Sequence, residues 1–132
     1  MLLEGIIFDK DGTIFDFEET WGHWCVKIIE LISADDKNLK EAVAEVLDFD
    51  LKNLSFRPGS IAIAGSTRNI AQVMSSVVVG WSTSELEKFL ERASLNAPVA
   101  EITPLASFFQ RLRRNFLRVG IVTNDSEFNT KL

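Results

Sequence analysis

The sequence predicts an α/β fold built on a partial parallel sheet, of which only the first strands are present. Three observations carry this. Short apolar runs lie near both ends, Ile6-Ile7-Phe8 and Val119-Gly120-Ile121-Val122, and each reads as a buried strand of the parallel kind. The residues between them recur at helical spacing. Most of those helices open on a capping signal.

The first strand covers Glu4 to Phe8 and ends at Asp9. From about Glu18 the period changes, and Trp21, Trp24, Cys25, Ile28 and Ile32 define one face of a helix. A second helix begins near Asp35 or Asp36, either of which suits the cap, and carries Leu39, Val43, Val46 and Leu47. Asn53 to Gly65 is rich in turn residues, including Pro58 and Gly59, and reads as a loop. Ser66 caps a helix bearing Ile70, Val73, Met74 and Val77, with Gly80 as its stop. Ser82 and Glu85 form a capping box before Leu86, Phe89, Leu90 and Ala93. Thr103 followed by Pro104 opens a helix with Leu105, Phe108, Phe109 and Leu112. Arg118 to Thr123 is the second strand. Two strands do not make an independently stable sheet, so this reading expects part of the fold to be missing from the chain or supplied by another.

Composition narrows the function. At 132 residues the chain has the length of one domain and enough material for a core, since domains commonly run about 100–200 residues. The net charge of −5 argues against nucleic acid as the main partner. The one basic cluster, Arg111, Arg113, Arg114 and Arg118, reads as a helix end, where cations suit the dipole. A single cysteine, Cys25, forbids an internal disulfide and fits a reducing, cytoplasmic compartment. No signal peptide is evident, and no apolar run approaches the ~20 residues of a membrane span.

The chemistry concentrates in Asp9-Lys10-Asp11-Gly12-Thr13. A β-hairpin pairing Ile6–Phe8 with Ile14–Phe17 explains Gly12 but not two carboxylates two residues apart. A calcium loop fails because its sixth and twelfth positions hold Ile14 and Thr20 instead of Gly and Glu. A phosphoryl-transfer site accounts for all of it. A carboxylate at a parallel strand's end sits where such sheets bind ligands. Asp9 serves as nucleophile, Asp11 as general acid and base. Gly12 permits a tight turn that brings backbone N–H groups toward a phosphate. Paired carboxylates also suit Mg²⁺.

This segment, a hydrophobic strand followed by Asp-x-Asp-Gly-Thr, resembles the first motif of the haloacid dehalogenase superfamily. Val119 to Asp125, a strand ending in Thr123, resembles its second motif. The resemblance implies a Rossmann-like core at 1–17 and 100–132, interrupted by a helical cap at 18–99 that closes over the site and helps choose the substrate. It implies Asp9 as nucleophile and magnesium ligand. Asp11 becomes general acid/base and binds magnesium through its backbone carbonyl. Thr123 and the backbone at Asn124 hold the phosphoryl group. Phe15-Asp16-Phe17 and Thr20-Trp21 are similar to phosphoglycolate-phosphatase-like members. Haloacid dehalogenases proper lack the second aspartate, so Asp11 favours a phosphatase or phosphomutase.

The expected activity is therefore magnesium-dependent hydrolysis of a small phosphorylated metabolite through an aspartyl-phosphate. The alternatives are a phosphomutase of the same family, or a truncated chain that serves only as a binding or assembly module. The family's later lysine and acidic motifs have no match in the nine residues after Thr123, Lys131 lying too close to that strand, so the chain alone is expected to be inactive. Ser126 to Leu132 read as the start of a further helix or as an appended tail. His23, Arg57, Ser60 and Arg68 read as surface positions, with an anionic substrate as a minor alternative role. Trp21 and Trp24 read as core or cap interface, and Asp16 and Asp125 as neighbours of the motifs. The sequence leaves oligomeric state open.

Overall fold

The computed structural model describes residues 2–125; the expected helix or tail from Ser126, and with it Lys131, lies outside the described residues. Strand β1 (Gly5–Asp9) pairs in parallel with β4 (Arg118–Val122), in the register Gly5↔Arg118 through Asp9↔Val122. The hairpin alternative is thereby excluded. The chain leaving β1 folds into a tight turn instead, in which the Lys10 carbonyl accepts from the N–H groups of Thr13, Ile14 and Phe15 at 3.3, 3.0 and 3.2 Å. Gly12 has φ +78°, which a side chain would resist.

The strands differ from expectation in burial. Both apolar runs suggested cover on two faces. Among the described residues one face is covered, by α6 (Leu105–Arg114), whose Phe108 and Phe109 rings meet Phe8 at 5.8 and 5.9 Å. Ile7 is 75% exposed, and Ile121 and Val122 are also open to solvent. Apolar composition reports what a strand tolerates, not what covers it.

Helices fill the space between the strands. A π-helical turn (Glu18–Gly22) runs directly into α1 (His23–Ser33), and the Asp16 carboxylate accepts from Glu19 N at 2.9 Å at its start. Asp36, of the two candidates, caps α2 (Lys37–Val46) by accepting from Leu39 N. The expected loop 53–65 holds more order than its composition implied. Phe49 in β2 (Phe49–Asp50) faces Phe56 in β3 (Ser55–Phe56), both buried, with rings 4.9 Å apart. That aromatic pair anchors a hairpin that turn propensity alone hides. Ser60 then caps the short α3 (Ile61–Ala64) and donates to the Leu47 carbonyl at 2.5 Å.

Capping boxes start α4 (Thr67–Ser75) with Ser66 and Asn69, and α5 (Thr83–Ser94) with Ser82 and Glu85. Helix α4 stops at Ser75, short of the expected Gly80, which instead takes φ +87° in the turn before α5. Pro104, not Thr103, occupies the cap position of α6, without a side-chain cap bond. Arg111, Arg113 and Arg114 occupy its last turn, as expected from the dipole, but Arg118 does not belong to that helix end and instead opens β4.

The core lies among these helices. Cys25, Ile28 and Ile29 of α1 pack with Val43, Phe49, Met74, Leu86 and Leu90. The chain enters and leaves this helical segment at one place: Asp16 N donates to the Ala100 carbonyl at 2.8 Å, and Ala100 N donates to the buried Thr20 hydroxyl at 3.2 Å. Among the described residues no helix is long and apolar enough to cross a membrane.

Two outcomes follow from this core. Leu86→Ala removes a fully buried side chain and should destabilise the fold by about 2–5 kcal/mol, whereas Ile7→Ala should cost less than about 0.5 kcal/mol, both read from urea unfolding. Burial, and then the charge of Glu18, push the Cys25 thiol above its ordinary value near 9.0. The unfolded chain therefore releases this proton before the native one does. Stability is intact below about pH 9 and falls above it, by up to about 1.4 kcal/mol per pH unit. Cys25→Ala should flatten that slope in parallel urea titrations across this range; an unchanged slope would assign it to other groups.

Candidate functional site

Strand ends set the site. Because Asp9 pairs with Val122, the residues following β4 emerge beside the tip of β1. Asp9, Asp11, Thr123 and Asn124 consequently line one cleft of about 410 Å³, together with Ile63, Ala64 and Val122. All four residues singled out in the sequence are brought together.

Their side chains are held differently. Asp9 is exposed, and its carboxylate accepts from the Thr13 hydroxyl at a long 3.3 Å. Asp11 is half-buried and fixed from two sides: one oxygen accepts from the indole N–H of Trp21 at 2.8 Å, and the other lies 3.5 Å from the Lys10 ammonium. Lys10 also pairs with Asp125 at 2.6 Å and stands 5.8 Å from the centroid of the Trp21 ring. The side chains of Lys10 and Asp125 are only 14% and 10% exposed, so solvent screens this pair less than an ordinary surface bridge. Asp125 N in turn donates to the Thr123 hydroxyl at 3.1 Å. The Asn124 side-chain amide donates to the carbonyls of Ala64 and Gly65 at 3.0 and 3.5 Å, tying the loop after β4 to the end of α3.

One expectation changes here. The turn at Gly12 was expected to offer N–H groups to a phosphate. Gly12 N instead donates to the Phe15 carbonyl at 2.9 Å, and the next three N–H groups go to Lys10. Closing the turn consumes its donors.

The minor candidates lie elsewhere. Arg57 pairs with Glu45 and Arg68 with Glu87, each at 3.3 Å, and neither lines the cleft. Ser60 is occupied as a cap. His23 is exposed, 3.8 Å from Glu19 in the π-helical turn that precedes its helix. Sequence reasoning missed Lys10 and underrated Trp21 and Asp125. Lys10 was legible as the one cation between two acids. Trp21 falls on the apolar stripe of its helix, which masks a donor aimed at Asp11.

Among the described residues, no three His, Cys, Asp or Glu side chains converge as a metal cage. Asp9 and Asp11 both line the cleft, and a carboxylate from the first with a backbone carbonyl from the second would be hard oxygen donors of the kind Mg²⁺ takes from protein, the rest of its octahedron being water and substrate. No family model matches the chain, and no curated protein or solved structure matches it either.

The ion pair at Lys10 is testable by a double-mutant cycle. Lys10→Met and Asp125→Asn should couple by about 1–3 kcal/mol in urea unfolding. A coupling near zero would make the pair a surface contact of no consequence.

Proposed function

We propose that this chain carries the nucleophile and the general acid/base of a magnesium-dependent phosphatase site, acting on a small phosphomonoester. The observation that carries the proposal is the convergence of Asp9, Asp11, Thr123 and Asn124 on one cleft, at the carboxyl ends of two parallel strands. Open parallel sheets bind ligands at that end. On this reading the chain resembles the haloacid dehalogenase superfamily. Residues 1–17 and 100–132 contribute to a Rossmann-like core, and 18–99 are an inserted cap. The adjacent crossings at Asp16 and Ala100 support an insertion, since its two ends leave the core side by side. A cytoplasmic setting belongs to the same reading, supported by the lone, buried thiol.

The residues divide the reaction between them. The exposed Asp9 carboxylate attacks phosphorus, and the phosphorus–oxygen bond to the leaving alcohol breaks. The departing oxygen takes a proton from Asp11, leaving an aspartyl-phosphate. Water then attacks phosphorus, giving its proton to Asp11, and the bond to the Asp9 oxygen breaks to release inorganic phosphate. The Thr123 hydroxyl donates to a phosphoryl oxygen. Trp21 and Lys10 hold Asp11 at one angle through both steps. Mg²⁺, held by the Asp9 carboxylate and the Asp11 carbonyl, would neutralise phosphoryl charge. The partner is thus a small phosphorylated metabolite.

Asp9→Asn should abolish phosphomonoester turnover with an unchanged circular dichroism spectrum. Asp11→Asn should slow turnover by about 10²–10⁴-fold. Peptide mass mapping after acid quench should find the phosphoryl group on Asp9. Activity retained in Asp9→Asn would overturn the mechanism.

A further inference from the structure

A second cavity opens beside the cleft, and Asp11, Ile63 and Asn124 are walls of both. Its walls include the aromatic and aliphatic side chains of Phe17, Trp21, Trp24, Phe56, Ile70 and Leu90, beside the polar Thr67 and Ser94. Its volume is about 70 Å³. A dry cavity of roughly 150 Å³ takes a benzene, so this slot takes a chain of only a few carbons.

Charge selects among the groups that fit. Among the described residues that line the slot there is no Lys, Arg or His. Its charged members are Asp11 and Asp125, both acids, and the nearest cation, Lys10, is engaged by those two carboxylates. Among the described residues, an anionic group entering here would lose its hydration and meet two carboxylates whose cation, Lys10, they already share. An alkyl group avoids that repulsion and would cover aromatic surface.

We propose that the slot receives the leaving-group side of the substrate, and that this side is a short, uncharged, apolar chain. The substrate class is then an alkyl phosphomonoester without a second anionic group, which sets it apart from phosphorylated carboxylic acids. The proposal rests on the phosphatase reading of the adjoining cleft.

Binding of non-hydrolysable phosphonates to the protein, with magnesium chloride present, tests it. Quenching of tryptophan fluorescence is the readout, because Trp21 and Trp24 wall the slot. Propylphosphonate should bind about fifteenfold more tightly than methylphosphonate, since each of its two additional methylenes is worth about fourfold when buried. The carboxylate-bearing 3-phosphonopropionate should bind more weakly than propylphosphonate by at least that factor. Ala62→Leu, which narrows the slot, should bring propylphosphonate down to the level of methylphosphonate and leave methylphosphonate unchanged. Equal or tighter binding of 3-phosphonopropionate overturns the proposal while sparing the phosphatase reading. Failure of methylphosphonate itself to bind overturns both. The wild-type comparison stands even if Ala62→Leu does not fold.

Discussion

The parallel pairing of β1 with β4 is the constraint on which the site depends. Asp9 and Thr123 are 114 positions apart in sequence, and what brings them together is a five-residue ladder ending Asp9↔Val122. Strand side chains alternate between faces, so slipping the register by one residue would turn β1's apolar set away from α6 and Asp9 away from its partners. Two features hold the register. Phe8 is gripped by Phe108 and Phe109, which fixes the face. At Gly5 a Cβ would stand 3.2 Å from the Arg118 carbonyl, so glycine permits the close approach that begins the ladder.

From that ladder the two carboxylates acquire different surroundings despite being two residues apart. Asp9 ends the strand and faces the open cleft with one weak local contact. Asp11 lies past the strand, where the turn carries it back against Trp21 and Lys10. An attacking group needs free oxygen lone pairs and room for the incoming phosphorus. A group that gives and takes protons needs a fixed angle more than it needs room. The asymmetry matches that division of labour. Its source is local: the Lys10 carbonyl collects three N–H groups, and that winding rotates the Asp11 side chain out of the strand's alternation.

Much of this was legible in the residue order. Cap chemistry located the starts of α2, α4 and α5, because Asp36, Ser66 and Ser82 satisfy helix donors within their own first turns. Stops were less legible. Gly80 signalled a left-handed residue correctly but not how far beyond α4 it would stand. The β2–β3 hairpin escaped because its strands are two residues each, too short for periodicity, and because the ring contact between Phe49 and Phe56 leaves no pattern in the residue order. At the site the identities of the lining residues were readable from the two motifs, and their surroundings were not. A lysine–carboxylate pair across 115 positions leaves no local trace. Nor does sequence spacing reveal that a tryptophan on an apolar helix face points its N–H at a carboxylate.

Asn124 shows how tightly the helical segment is joined to the cleft. Its side chain binds the carbonyls of Ala64 and Gly65, while Ile63 and Ala64 are themselves cleft walls. Gly65 cannot be replaced cheaply there: an added Cβ would fall 2.4 Å from the Ile61 carbonyl, although its φ of −79° is ordinary. The demand is steric, imposed by α3 closing its last turn onto Ile61. A wall of the cleft is therefore built from the end of α3 and is fastened to the loop that follows β4. Displacing α3 would break the Asn124 contacts and open the cleft together. The wall's position and the conformation of the loop bearing Thr123 thus vary as one coordinate rather than two.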